Sequence, residues 1–227
     1  MTEPLVPPAH ADGDAGAFLN AAWVQAWQAI GARTDGHDVR AALLARHAEA
    51  HRHYHTTQHL QECLRALHAV HALAGQPHVL GIALWFHDAV YDPTRADNEA
   101  LSAAWAEQAL LDARVEATVA ARVRDLVLLT RHDAVPEAGD AQLLVDIDLG
   151  ILGAPQPRFE AYEHQVRQEY AHVPLPAFRA GRTRVLQGFL DRPRIYGSAH
   201  FSALLEARAR DNLAWSLAQL DAADDRA

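Results

Sequence analysis

Apolar residues recur along this chain with the period of a helix. Between Ala17 and Ile30 they fall at Phe18, Ala22, Trp23, Trp27 and Ile30, one stripe on a cylinder of about 3.6 residues per turn. Asp38 opens a second amphipathic stretch with Leu43, Leu44 and Ala48. Thr56 or Thr57 can cap a third, whose apolar line runs Leu60, Leu64, Leu67 and His71, with Cys63 and Val70 beside it. Gly75-Gln76-Pro77 breaks that line. The next stretch is apolar on every side (Val79, Leu80, Ile82, Leu84, Trp85, Phe86), the mark of a helix buried all round. It runs straight into His87-Asp88.

The second half repeats the pattern. Asp92 to Asp97 reads as a loop, and Asp97 or Asn98 caps a helix to Leu111. Val119, Val123, Leu126, Val127 and Thr130 share a face, and Pro136 to Gly139 reads as a turn. Leu143 to Leu152 is apolar except for Asp146 and Asp148. Pro157 starts a helix with Phe159, Tyr162 and Val166 in line, and Pro174 and Pro176 separate it from one carrying Phe178, Arg182, Val185 and Phe189. A last helix is expected from about Phe201 to Leu220. The predicted architecture is all-α: a tail over residues 1–15, a single helical domain over 16–220 and a short tail over 221–227.

Composition narrows the chemistry. Ala and Leu dominate, and both are strong helix formers. A net charge of -9 and the lack of any basic run speak against binding a nucleic-acid duplex. All 20 basic residues are Arg, which excludes a Schiff-base lysine. The one cysteine, Cys63, cannot form an intrachain disulfide, and its place on an apolar stripe suggests packing. No apolar run reaches the roughly 20 residues needed to span a bilayer, and the acidic, Pro- and Ala-rich N-terminus lacks the parts of a signal peptide. A cytoplasmic location is the expectation. Of the 15 histidines, His37, His47, His164 and His200 read as solvated or packed helical residues.

Candidate chemistry gathers on His55, His59, His87 and Asp88. A carboxylate buried alone costs several kcal/mol, so a His-Asp pair at the end of a buried helix calls for a partner or a cation. Imidazole and carboxylate are both natural ligands of a divalent ion. His55 and His59 stand four apart, which on a helix puts them on one face. Alone, that spacing is as compatible with two surface histidines. Asp146 and Asp148 diverge by about 200° on a helix, so only one of them can face such a site.

These residues resemble the HD-domain metal-dependent phosphohydrolases, whose pattern is His, then His-Asp, then Asp on an all-α fold. The resemblance covers most of the chain and rests on Arg52 to His59, Trp85 to Pro93, Asn98-Glu99, Thr130-Arg131-His132, Asp146 to Gly153 and Arg208 to Leu213. It implies metal ligation by His59, His87, Asp88 and Asp148. Tyr54-His55-x-x-x-His59 is similar to the motif of cyclic-nucleotide phosphodiesterases, which implies that His59 is the ligand and His55 the proton donor, the reverse assignment being the alternative. Asp148, followed by Leu-Gly-Ile, resembles the context of the last ligand in those enzymes, leaving Asp146 to hydrogen-bond a ligand imidazole. His87-Asp88-x-x-Tyr91-Asp92 is similar to the His-Asp-x-x-Glu-Asp of (p)ppGpp hydrolases, with Tyr91 in place of the Glu.

The implied activity is hydrolysis of a phosphate ester or anhydride in a small nucleotide-like substrate. Mn²⁺, Fe²⁺, Ni²⁺ or Mg²⁺ would lower the pKa of a bound water toward ~7. Asp92 or Glu99 would orient that water, although Glu99 also suits the positive end of a helix dipole. Arg131, His132 and Arg182 would meet the substrate, the arginines being equally readable as solvated. The expected partner is a small phosphorylated molecule, without membrane contact, and a homodimer stays open. Two other readings compete: a di-iron oxygenase of the same fold, with His132 and Asp92 as extra ligands, and a non-catalytic metal-binding regulatory module.

Overall fold

The computed structural model describes residues 12–132, 136 and 138–224, and all regular structure among them is helical. The chain packs as two compact units, one ending at Ile147 and the other beginning at Asp148.

In the first unit the apolar periodicities become α1 (Asp12–Ala29), α2 (His37–His47), α3 (Thr57–Ala69), α4 (Pro77–Phe86), α5 (Asn98–Asp112), α6 (Ala117–Leu128) and α7 (Asp140–Asp148). α1 begins at Asp12, so the expected tail is helical over 12–15; residues 1–11 lie outside the described residues. α4 is the centre of this unit. Every residue from Val79 to Phe86 is buried, and α1, α3, α5 and α6 all pack on it. Burying side chains of that size contributes roughly 1.5–3 kcal/mol each, which is why a helix with no polar face is stable only here. Aromatic rings close the core beside it: Trp23 stacks on Trp27 at 4.7 Å and meets Trp85 edge-on at 5.1 Å. Gly36, at φ 66° ahead of α2, lies so close to Trp27 that a Cβ would come within 2.6 Å of the indole.

Two local devices fix the approach to α3 and α4. Thr56 caps α3, its hydroxyl accepting the Gln58 N–H at 3.3 Å. The Asp140 carboxylate, at the start of α7, accepts the Gly75 and Gln76 N–H groups at 2.7 and 2.8 Å and so ties α7 to the entry of α4. Of the turn expected over Pro136 to Gly139, Glu137 lies outside the described residues.

The second unit contains a 3₁₀ segment (Leu149–Gly153), then α8 (Gln156–Glu169), α9 (Leu175–Leu190) and α10 (Ala199–Asp224). α10 runs four residues beyond the expected end at Leu220. It holds the 3₁₀ segment through side chain to main chain bonds: Asn212 donates to the Leu152 and Ala154 carbonyls at 2.8 and 2.9 Å, and Arg208 to the Gly153 carbonyl. Gly153 has no room for a side chain, because a Cβ there would stand 2.7 Å from that of Leu205. Among the described residues no helix is long and apolar enough to cross a membrane.

Candidate metal centre

His59 lies one turn into α3, and His87 immediately follows α4. Both imidazoles are buried, with their Nε2 atoms 3.1 Å apart. The Asp88 Oδ2 stands 3.0 Å from the His87 Nε2 and 3.5 Å from the His59 Nε2. Two ligands about 2.0–2.1 Å from one ion, at ordinary coordination angles, are separated by roughly 3.0–3.4 Å. The spacing of these three atoms is that of groups facing a common cation.

The protons point the same way. His87 Nδ1 stands 2.7 Å from the Leu84 carbonyl, which can only accept, so this nitrogen carries the hydrogen. The other ring nitrogen, Nε2, faces His59 and Asp88. Asp88 Oδ2 is buried against both imidazoles. Burial by itself would raise the Asp88 carboxyl, but the charges of His87, His55 and His59 hold it well below the usual carboxylate range. Two imidazoles and a carboxylate at these distances are groups that could hold a divalent ion.

The structure adds a residue that the sequence reading had assigned to packing. Cys63, one turn after His59 on α3, places its Sγ 3.7 and 3.8 Å from the two ring nitrogens of His59. Asp148 is the last residue of α7. Within the first unit, one ligand atom from each of His59, Cys63 and His87 lies within 4.8 Å of the others, a group that could hold a metal ion. Asp146 is fully buried and accepts a hydrogen bond from the Gln142 amide at 2.8 Å.

Arg52, a second residue without an assigned role, is what holds the site's two loops. It is buried, and its guanidinium donates to the Asp88 carbonyl at 2.6 Å, the Ala89 carbonyl at 3.2 Å and the His55 carbonyl at 3.3 Å. Its Nε donates to Glu49 at 3.1 Å. The turn after Asp88 is fixed further by Ser102, which accepts the Val90 N–H at 2.9 Å, and by Asn98, which donates to the Asp92 carbonyl at 2.8 Å. His55 sits in the turn before α3, stacked on Tyr91 with ring centroids 4.0 Å apart and 6.0 Å from the ring of His59. His47, at the end of α2, is only 1 % exposed, and neither ring nitrogen makes an aligned hydrogen bond. Burial lowers its pKa to about 4, with Asp88 opposing and Arg52 and His87 reinforcing that shift.

The other expected residues are used differently. Asp92 Oδ1 accepts the Thr94 N–H and hydroxyl at 2.8 and 2.7 Å, closing a surface turn, and those bonds lower its pKa. Glu99 lies in the first turn of α5. Arg131 is exposed at the end of a 3₁₀ turn, and His132 follows it in a left-handed conformation, φ 56°. Arg182, in the second unit, pairs with Glu163 and lies over the Tyr162 ring.

The fold and site together define an all-helical protein with a buried His, Cys and carboxylate cluster suited to a metal ion. No family model, curated protein or solved structure matches the chain.

Proposed function

We propose that this chain is a metal-dependent phosphohydrolase of the HD type, acting on a phosphate ester or anhydride bond of a small nucleotide-like molecule. The observation that carries the reading is the convergence of His59 Nε2, His87 Nε2 and Asp88 Oδ2 at 3.0–3.5 Å from one another. A divalent ion there supplies Lewis acidity toward a phosphoryl oxygen and an acidified water. The chain's own groups supply orientation and protons. His55, held against Tyr91 and anchored through its carbonyl by Arg52, is suited to protonate the leaving oxygen. Arg131, exposed at the end of its 3₁₀ turn, is the arginine assigned to a substrate phosphate, and the guanidinium of Arg182 is held by Glu163. Asp92 and Glu99 are the carboxylates assigned to orient water. A di-iron oxygenase would need further donors, and Asp92 and His132 are not part of the group that gathers on His59, Cys63 and His87.

The test is turnover of a nucleotide and phosphodiester panel by protein loaded with single divalent ions. His55→Ala should keep its metal and lose roughly 10²–10⁴-fold in rate on esters with poor leaving groups. A nitrophenyl ester, which needs less protonation, should be hurt less. Metal loss in His55→Ala with retention in His59→Ala would exchange the two roles. Metal-loaded wild type that hydrolyses nothing in the panel would leave a non-catalytic metal-binding module.

A further inference from the structure

Imidazole, carboxylate and water are hard or borderline ligands that Mg²⁺ or Mn²⁺ could share with iron or zinc. Cys63 changes that. Its sulfur is buried, lies 3.7 and 3.8 Å from the Nδ1 and Nε2 of His59 and belongs to the same 4.8 Å cluster as His87. Ligands at about 2.3 Å (sulfur) and 2.0–2.1 Å (imidazole) from one ion stand roughly 3.5–3.8 Å apart. The register of α3 imposes the approach, because residues four apart share a helix face. A thiol seated there as a mere apolar filler would need no polar neighbour, yet it lies against both ring nitrogens of His59.

We propose that Cys63 enters the coordination sphere as a thiolate, so that the resident ion is a thiophilic one, zinc or ferrous iron, and not magnesium. The proposal deepens the metal-dependent reading above and rests on it. Binding releases the thiol proton to solvent and involves no change of oxidation state. A thiolate selects softer ions, while Mg²⁺ keeps to oxygen ligands and water.

The sequence makes the test unambiguous, since Cys63 is the only cysteine in the chain. Full-length protein is freed of metal and titrated with Co²⁺, and the absorption spectrum is followed. A thiolate-to-cobalt charge-transfer band in the near ultraviolet, rising to one equivalent, can come only from Cys63. It should vanish in Cys63→Ser and Cys63→Ala. In competition titrations the Ala variant should bind Zn²⁺ at least about 10–100-fold more weakly, the loss typical even of residues that only support a ligand. Excess Mg²⁺ should not displace cobalt from the wild type. Cobalt bound without the charge-transfer band, or Zn²⁺ affinity unchanged in Cys63→Ala, would overturn the assignment while leaving the metal centre standing. Wild type that binds neither cobalt nor zinc would sink the metal centre and the cysteine assignment together. The wild-type spectrum decides the matter even if a variant fails to fold.

Discussion

The two units each bury a cluster of ionisable side chains, and the clusters are built on opposite principles. In the second unit, Arg182 and Glu163 close on each other. Arg182 donates to both oxygens of the Glu163 carboxylate, Ser216 adds a bond to Oε2 at 2.9 Å, and the Tyr162 ring covers the guanidinium. Charges cancel, donors meet acceptors, and nothing further is required. In the first unit, His59, His87, Asp88 and Cys63 bring together groups that mostly accept or ligate. A buried ion pair that satisfies itself is architecture; a buried group of imidazoles, carboxylate and thiol is one that could also hold a cation.

The largest effect should come from breaking the open cluster. Asp88→Ala should abolish stoichiometric metal binding, read by elemental analysis of protein made in metal-supplemented medium. A chelator should lower the melting temperature of the wild type and leave that of Asp88→Ala unmoved. Equal metal content in the two proteins would remove the contrast altogether.

Breaking the closed cluster should cost stability instead. Glu163→Gln leaves the Arg182 charge buried without its partner and should destabilise by about 3–5 kcal/mol in denaturant unfolding. Its metal content should match the wild type, which separates damage to architecture from damage to the site. Replacing both residues by apolar ones should recover most of the loss.

His47 offers the smallest and most selective lever. Its pKa is depressed in the folded state to about 4, from an ordinary value of 6.5. As pH falls through 6.5 the unfolded chain takes up a proton that the folded protein refuses, so stability drops until about pH 4, where both are protonated. By pH 5 the loss from this group should be about 2 kcal/mol. His47→Leu should flatten that part of the acid limb. An unchanged limb would mean that the His47 imidazole is solvated after all.

The sequence disclosed these features unevenly, for physical reasons. α4 was legible because a run of apolar residues with no polar face can only be a core element, and Thr56 because a hydroxyl before an amphipathic stretch is a cap. His87-Asp88 stood out because a His-Asp pair ends such a helix. Cys63 did not, because a thiol one turn from His59 lies on the same stripe as Leu60 and Leu64 and has the pattern of packing. Arg52 was silent too, since three of its partners are main-chain carbonyls, which leave no signature in the residue types. The burial of His47 depends on which elements cover the end of α2, a tertiary fact. The role of Arg182 depends on Glu163, nineteen positions earlier on a different helix. α1 began earlier than expected because Asp12 to Ala15 carry too few apolar residues to show a period.

The grip of Arg52 has a consequence for engineering. It holds the turn after α4 and the turn before α3 by their backbones, so the frame is indifferent to which side chains those turns display. Exchanging the Asp88 or His55 side chain should therefore leave the backbone bonds of Arg52 in place. Lineages, and designers, can rewrite the chemistry at these positions while a single guanidinium keeps the geometry.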